Sequence, residues 1–251
     1  MTSYSACHDK KCRLVVNGTE TGSEYEEISF PQYSHDGKKI GFLGKRDNEW
    51  DAVVDGKAVG SGSEAIWGPM WGFSADDKHF FFAASPGGGE SGVRAGIKLG
   101  LGVPPKERKW MWIVDGNPEP PSTVLSRITF SPDGSHYAYG ASDVGKQGFT
   151  KQQTIGTVML DGKPLAAYEG KGMAGKYAQT MVSGIRTVSE DFDGISTPQF
   201  NPEGKIVYAG RRDKGDIAVF VGSDPGPGFD EILSGIVFTS EHERMAMGPL
   251  A

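Results

Sequence analysis

Four short segments of this sequence each set an acid two places before an isoleucine: YEEIS (25–29), SEAIW (63–67), FDGIS (192–196) and FDEIL (229–233). Their acids are Glu26, Glu64, Asp193 and Asp230, and Arg127 enters a related segment where the others carry no base. If these five side chains ringed one pocket they would equip a hydrolase or a lyase. Paired carboxylates flanking a bond, one as acid and one as base or nucleophile, are the machinery of glycoside cleavage. The plainer reading starts from the repetition itself. Residues that return unit after unit usually serve the unit, so the isoleucine packs and the acid caps a loop or faces water.

Other motifs are weaker. GGGESG (87–92) fits G-x-G-x-x-G, but a dinucleotide fingerprint needs a strand before it and a helix after it, and no helix pattern opens here. GKGMAGK (170–176) matches the first seven places of a phosphate-binding loop. Tyr177 then stands where the magnesium-holding Ser or Thr belongs. Lys171 and Lys176 remain candidates for an anionic group. Trp67, at a strand entry, is the tryptophan placed to stack on a ligand. Trp50, Trp71, Trp110 and Trp112 fall on strand patterns and are expected in the core.

Cys7 and Cys12 are the two cysteines. The sequence favours free thiols there, with a local disulfide closing a small loop as the alternative. Half a zinc site with His8 is a third option, the weakest of the three because structural zinc wants a second pair of ligands. Neither a metal nor a cofactor is expected.

The elements that must position these residues declare themselves as a repeat, the first thing to seek in a sequence. PQYSHDGKKIGFLG, WGFSADDKHFFFAA, ITFSPDGSHYAYGA, PQFNPEGKIVYAGR and IVFTSEHERMAMGP align on Tyr33, Phe73, Phe130, Phe200 and Phe238. Each is an apolar strand, a tight turn and a second apolar-alternating strand. The third turn position is always acidic: Asp36, Asp76, Asp133, Glu203 and Glu241. A short acid there bonds the amides of its own turn, so turn chemistry accounts for this series. A second signal follows each hairpin: AVVDGK (52–57), WIVDGN (112–117), VMLDGK (158–163) and a degenerate AVFVGS (218–223). Its fifth copy, LVVNGT (14–19), precedes the first hairpin.

These motifs resemble the WD40-like, TolB-type β-propeller repeat family, whose signature runs F-S-P-D-G, an alternating strand, then V-x-D-G. The resemblance runs from about residue 11 to 248. It implies an all-β fold, a single five-bladed β-propeller domain over 1–251, and is silent on activity. The displaced fifth copy implies a last blade closed by two C-terminal plus two N-terminal strands, which would leave no open sheet edge. Residues 1–10 are then an N-terminal extension.

In a blade with strands A to D, the A–B and C–D turns share one end, and the B–C and D–A connections the other. The first and fourth copies are short from anchor aromatic to turn glycine (Tyr33 to Gly56, Phe200 to Gly222). Phe73 to Gly116 and Phe130 to Gly162 are longer, and so is the step from Gly162 to Phe200. The excess makes insertions at 86–109, 141–155 and 166–194, all expected on the B–C and D–A side. Long loops on a rigid scaffold tend to carry function. Within 86–109 the alternation of Ile97, Leu99, Leu101 and Val103 with Lys98 and glycines is that of a β-arm able to meet a second subunit. A plain Gly-rich loop is the other reading. His35, His79, His136 and His242 fall in or after A–B turns, at the opposite end, which leaves the decorated end poor in general bases.

A net charge of −6 argues against nucleic acid, whose binding domains are basic. No apolar run is long enough to span a membrane, and the N-terminus lacks the apolar core of a signal peptide. A cytoplasmic protein is expected, or a periplasmic or secreted one if a signal has been removed. The function expected is a non-catalytic binding or scaffolding module that meets a protein partner or small ligand at the insertion-bearing face. The alternative is the propeller enzyme, with the four acids and Arg127 at an axial pocket.

Overall fold

The computed structural model describes residues 1–29, 31–63, 65–85, 109–147, 151–170, 191–192, 195–211 and 216–230, and positions 232, 236 and 238. Every regular element among them is a β-strand. They form five antiparallel sheets in sequence order, distributed over two compact units, Met1–Pro121 and Ser122–Ala251.

The first unit holds three sheets. β1 (Ser3–His8), β2 (Lys11–Val16) and β3 (Thr19–Tyr25) make a three-stranded meander. β4 (Glu27–Ile28) and β5 (Gln32–Tyr33) are two pieces of one strand paired to β6 (Ile40–Arg46), followed by β7 (Glu49–Val54) and β8 (Lys57–Ser63). β9 (Ala65–Phe73), β10 (Phe80–Ser85), β11 (Met111–Val114) and β12 (Asn117–Pro118) complete the unit. The second unit repeats the plan. β13 (Val124–Leu125) and β14 (Thr129–Phe130) pair with β15 (Tyr137–Gln147), then β16 (Lys151–Leu160) and β17 (Lys163–Gly170). β18 (Asp191–Phe192), β19 (Ile195–Ser196) and β20 (Gln199–Phe200) lead into β21 (Ile206–Arg211), β22 (Ile217–Val221) and β23 (Asp224–Phe229).

Within each unit, successive sheets stack face to face through the alternate residues that a strand sends to one side. Cys12, Leu14 and Tyr25 of the first sheet meet Ile28, Phe42 and Val53 of the second. Leu43 and Ala52 on the second sheet's other face meet Trp71, Phe73, Phe80, Phe82 and Ile113 of the third. In the second unit Ala138 and Val158 meet Ile195, Tyr208 and Phe220. Trp71 is buried in the core between the second and third sheets with Trp50 packed against it, and Trp112 is buried beside Phe81, as their strand positions required.

Both turn types follow from their residues. In the A–B turn, Ser34 Oγ donates to Asp36 Oδ1 (2.8 Å) and accepts the Lys39 N–H (2.9 Å). Ser74 with Asp76 and Ser131 with Asp133 repeat the arrangement at 2.6 and 2.7 Å. The C–D turns Asn17-Gly18, Asp55-Gly56, Asp115-Gly116 and Asp161-Gly162 have positive φ at both residues, the type I′ geometry that matches strand twist. The fourth hairpin copy differs. Gly222, not the residue before it, takes the first turn position, with φ 64° and Val221 opposite Asp224.

Three expectations need correction. The N-terminus supplies three strands, not two: residues 1–10, expected as an extension, provide β1, and both edges of Leu14–Val16 are taken, by β1 and by β3. The thiols are not free. Asp9 and Lys10 turn the β1–β2 hairpin tightly, so Cys7 stands directly opposite Cys12 (Cα–Cα 3.9 Å) and the two are disulfide-bonded. Finally, the described part of 141–155 is no loop. It lengthens β15 and β16 into a hairpin paired from Ala138↔Leu160 out to Gln147↔Lys151. The expected C-terminal strands around Val237 and Met245, and most of 86–109 and 166–194, lie outside the described residues.

Candidate functional site

The strand order fixes which end of each sheet receives each insertion. The 86–109 segment leaves β10 and returns at β11, so it is a B–C connection of the third sheet. The β15–β16 extension is the B–C connection of the fourth. Of the expected 166–194 insertion, residues 166–170 are strand, the second half of β17 paired to β16, and the chain then passes from β17 to β18, a D–A connection. The described strand ends that flank them are the ends away from the tight turns.

Of the acids expected there, Glu26 is exposed, and its Oε1 accepts the N–H of Asp47 at 3.3 Å in the β6–β7 turn. It thus caps a loop. Asp230 is exposed just past β23, and Arg127 is exposed in the break between β13 and β14. Glu64, Asp193, Lys171 and Lys176 lie outside the described residues, as does the side chain of Trp67 in β9. The isoleucines of these segments do pack: Ile28 and Ile195 are buried.

The same segments carry a residue that sequence reasoning passed over. Ser29, Ser126 and Ser196 each accept a strand-B N–H on Oγ, from Leu43 (2.8 Å), Gly140 (2.7 Å) and Ala209 (2.8 Å). Each hydroxyl replaces a backbone carbonyl where strand A is interrupted, between β4 and β5, β13 and β14, and β19 and β20. A buried N–H left without a partner costs about 1–3 kcal/mol. The serine three places after the acid in YEEIS and FDGIS was the available signal.

Also unanticipated is a polar cluster at the insertion end of the second sheet. Arg46 Nη2 lies 2.7 Å from Asp51 Oδ2 across the Asp47–Asn48 turn, and its guanidinium sits 5.6 Å from the centroid of the Tyr25 ring. Burial pushes the Tyr25 hydroxyl pKa up. The Asp51 side chain is 9% exposed, so the pair closes the edge of the core rather than opening a pocket.

Of the histidines expected at the tight-turn ends, His35, His79 and His136 stand there, each against a carboxylate, and His242 lies outside the described residues. His79 Nδ1 is 2.6 Å from Asp115 Oδ2, and Asp115 Oδ1 accepts the Phe80 N–H. His136, Asp161 and Tyr137 repeat this at 2.7 and 3.0 Å. His35 pairs with Asp77 of the next sheet at 2.8 Å. The first two dyads tie the start of strand B to a C–D turn, and the third joins two A–B turns. Among the described residues no group of three His, Cys, Asp or Glu could hold a metal ion.

The carboxylates of the A–B turns are strongly stabilised as anions. The Lys38 N–H and ammonium, with the Ser34 hydroxyl, hold Asp36 well below the usual carboxylate range. The Ser131 hydroxyl, with the N–H and hydroxyl of Ser135, does the same for Asp133. The Ser74 hydroxyl lowers Asp76 to about 2.

Among the described residues the fold is therefore all-β, antiparallel meanders stacked within each of two units, and their repeated polar residues are spent on turns and strand joints. No protein-family model and no curated protein matches this sequence. Among solved structures, the chain is similar to the β-propeller domain of the Trilobed protease from Pyrococcus furiosus, described as having an open velcro topology (TM-score 0.38, 11% identity, 94% of this chain and 82% of that one). It is similar also to the Dos1 propeller (TM-score 0.35, 7% identity, 88% of this chain and 52% of that one). A third is the acylaminoacyl peptidase of Pyrococcus horikoshii (TM-score 0.34, 12% identity, 94% of this chain and 44% of that one).

Proposed function

We propose that this chain is a single five-bladed β-propeller acting as a non-catalytic binding or scaffolding module. Its working surface is the insertion-bearing end, where a protein partner, a small ligand or a second copy of the chain docks. The observation that carries this reading is a division of labour. The repeated Asp, Ser and His side chains hold turns and strand joints, whereas each insertion enters at the B–C or D–A end of its own sheet. In this reading the ring closes through the first sheet, whose described residues supply strands B, C and D in β1–β3 and no strand A. The turn copy around Phe238 supplies it, so the closure is three-plus-one rather than two-plus-two. Trp67, Arg127, Lys171 and Lys176 furnish the aromatic and cationic contacts. The Cys7–Cys12 disulfide favours the periplasmic or secreted alternative, since such bonds persist in oxidising compartments.

The test is a comparison of two ends. Trp67→Ala, Arg127→Ala and Lys171→Ala are expected to abolish binding to whatever a ligand or protein array retains on the wild type. Lys57→Ala and Lys163→Ala, at C–D turns, are expected to leave it intact. Loss through the turn-end variants instead would overturn the placement. Hydrolysis of chromogenic glycosides that disappears in Glu26→Gln or Asp230→Asn would overturn the non-catalytic reading.

A further inference from the structure

β1 and β2 are fastened at both ends of a ladder that runs from Ser3↔Val16 to His8↔Lys11. At one end stands the Cys7–Cys12 disulfide. At the other, Asn17 donates its N–H to Thr2 O (2.9 Å) and accepts the Thr2 N–H on Oδ1 (3.1 Å). Asp55 makes the same two bonds to Ile40, Asp115 to Phe80 and Asp161 to Tyr137. These C–D turns share one clasp, and the first builds it from an amide where the others use a carboxylate.

An amide is the reactive choice at this place. The nitrogen of the following residue can attack a side-chain amide and expel ammonia, whereas a carboxylate resists such attack. Gly18 has no side chain to hinder the approach, and a Cβ there would meet nothing within 4 Å. Asn17 and Gly18 are both exposed, and among the described residues nothing accepts the Gly18 N–H. The other asparagines lack this arrangement. Asn117 and Asn201 precede prolines, which have no N–H, and Asn48 precedes Glu49, whose side chain crowds its nitrogen at the start of β7. The clasp to Thr2 holds the reaction back, because an amide tied to β1 through Oδ1 cannot turn onto the Gly18 nitrogen. Thr2 is exposed and Met1 before it is 88% exposed. Chain ends held this lightly open at low free energy.

We infer that Asn17 is a site of self-modification, gated by its clasp to Thr2. When the clasp opens, hydroxide removes the Gly18 amide proton and the nitrogen attacks Asn17 Cγ. The Cγ–Nδ2 bond breaks, Nδ2 takes up a proton from water, ammonia leaves, and a cyclic imide joins the two residues. Water then adds to one of the imide carbonyls. Opening at the side-chain carbonyl gives aspartate at position 17. Opening at the main-chain carbonyl gives isoaspartate, whose main chain runs through the former side chain and is longer by one carbon. The aspartate remakes the clasp with a charged acceptor, as Asp55, Asp115 and Asp161 do, and charge-assisted hydrogen bonds are the stronger kind. The isoaspartate lengthens a turn whose length fixes the strand register. The clasp is then lost, and β1 is released at its N-terminal end while the disulfide holds the other.

Peptide mapping of the full chain after storage in mildly alkaline buffer, with fragmentation that separates aspartate from isoaspartate, reads the site. The urea-unfolded chain supplies the ungated rate. Expected in the folded protein are both acids at position 17, formed more slowly than in urea, with Asn48, Asn117 and Asn201 still amides. Thr2→Pro lacks the N–H that engages Oδ1 and should convert about fivefold faster than the wild type, the factor set by one ordinary hydrogen bond. An amide that stays intact at position 17 in both folded proteins, once the urea sample has converted, overturns the inference. A Thr2→Pro rate equal to that of the wild type, or a folded wild type as fast as the urea sample, overturns the gate. Asn17→Asp, the direct product, should melt no lower than the wild type. Hydrogen exchange over 3–6 should be faster in the isoaspartate-bearing protein than in Asn17→Asp, and equal exchange would contradict the release of β1.

Discussion

Asp77 grips the turn of the preceding sheet through His35. Its Oδ1 accepts the His35 N–H at 2.6 Å and lies 2.8 Å from His35 Nδ1, while Oδ2 accepts the Asp36 N–H at 2.7 Å. Its carbonyl accepts from Lys39 Nζ at 2.7 Å. Asp77 occupies the turn position that glycine holds at Gly37 and Gly134, and adopts the same left-handed backbone, φ 59°. A non-glycine residue is costly there, so the side chain has a use that offsets the strain: it joins two sheets at their tight-turn ends.

Asp77→Gly should relax the backbone yet lower the melting temperature, because three hydrogen bonds to the neighbouring turn go with the carboxylate. Asp77→Asn, which keeps one acceptor oxygen, should fall between the two. Partial burial pushes the Asp77 carboxyl up, but the N–H and ring of His35 with the N–H of Asp36 bring it below its ordinary value. An Asp77→Gly variant that melts above the wild type would remove the inter-sheet role.

Acid sensitivity follows from the turn carboxylates. Asp36, Asp76 and Asp133 titrate lower when folded than in an unfolded chain, where Asp sits at about 3.9. The unfolded state therefore binds protons first as pH falls, and stability drops with it. Their contribution is complete above about pH 4 and disappears through the folded values, about 2 for Asp76. Thermal melts from pH 6 to 2 should steepen below pH 4. Ser74→Ala and Ser131→Ala should flatten the acid limb, since the hydroxyls that lower these carboxyls are gone.

Ser126 is 1% exposed and its Oγ accepts the Gly140 N–H. Ser126→Ala should cost about 1–3 kcal/mol in urea unfolding, the penalty for a buried donor without a partner. Ser126→Thr keeps the acceptor and should cost less if its methyl is accommodated. An alanine variant of wild-type stability would mean that water replaces the hydroxyl.

These positions mark how far the sequence could be read. The Asp-Gly turns, the Ser-x-Asp turns and the entry points of the insertions follow from local chemistry, because each needs a particular residue at a particular φ or a side-chain acceptor within its own turn. β1 escaped notice because it is polar and, as its burial confirms, has no inward face to create an alternation. Its signal lay in spacing: Thr2 precedes Asn17 by the same 15 residues that separate Ile40 from Asp55. The Arg46–Asp51 and Asp77–His35 contacts join residues whose proximity depends on sheet register and stacking, which no local pattern encodes. Glu26 was legible as an acid at a sheet end, but its use as a cap on Asp47 depended on the geometry of a different loop.

Gly56 and Gly116 offer the sharpest comparison, because they occupy equivalent places in two C–D turns with φ of 77° and 82°. A Cβ on Gly56 would meet nothing within 4 Å, while one on Gly116 would collide with the carbonyl oxygen of Val59 in β8. Gly56→Ala should therefore show the backbone cost alone, about 1–2 kcal/mol for a left-handed alanine. Gly116→Ala adds a clash with backbone, which cannot rotate away, and overpacking of that kind costs a further 1–3 kcal/mol or so. Chemical unfolding of the two variants side by side measures the difference directly. If they lose the same stability, the second and third sheets do not approach as closely at that turn as the Val59 contact requires.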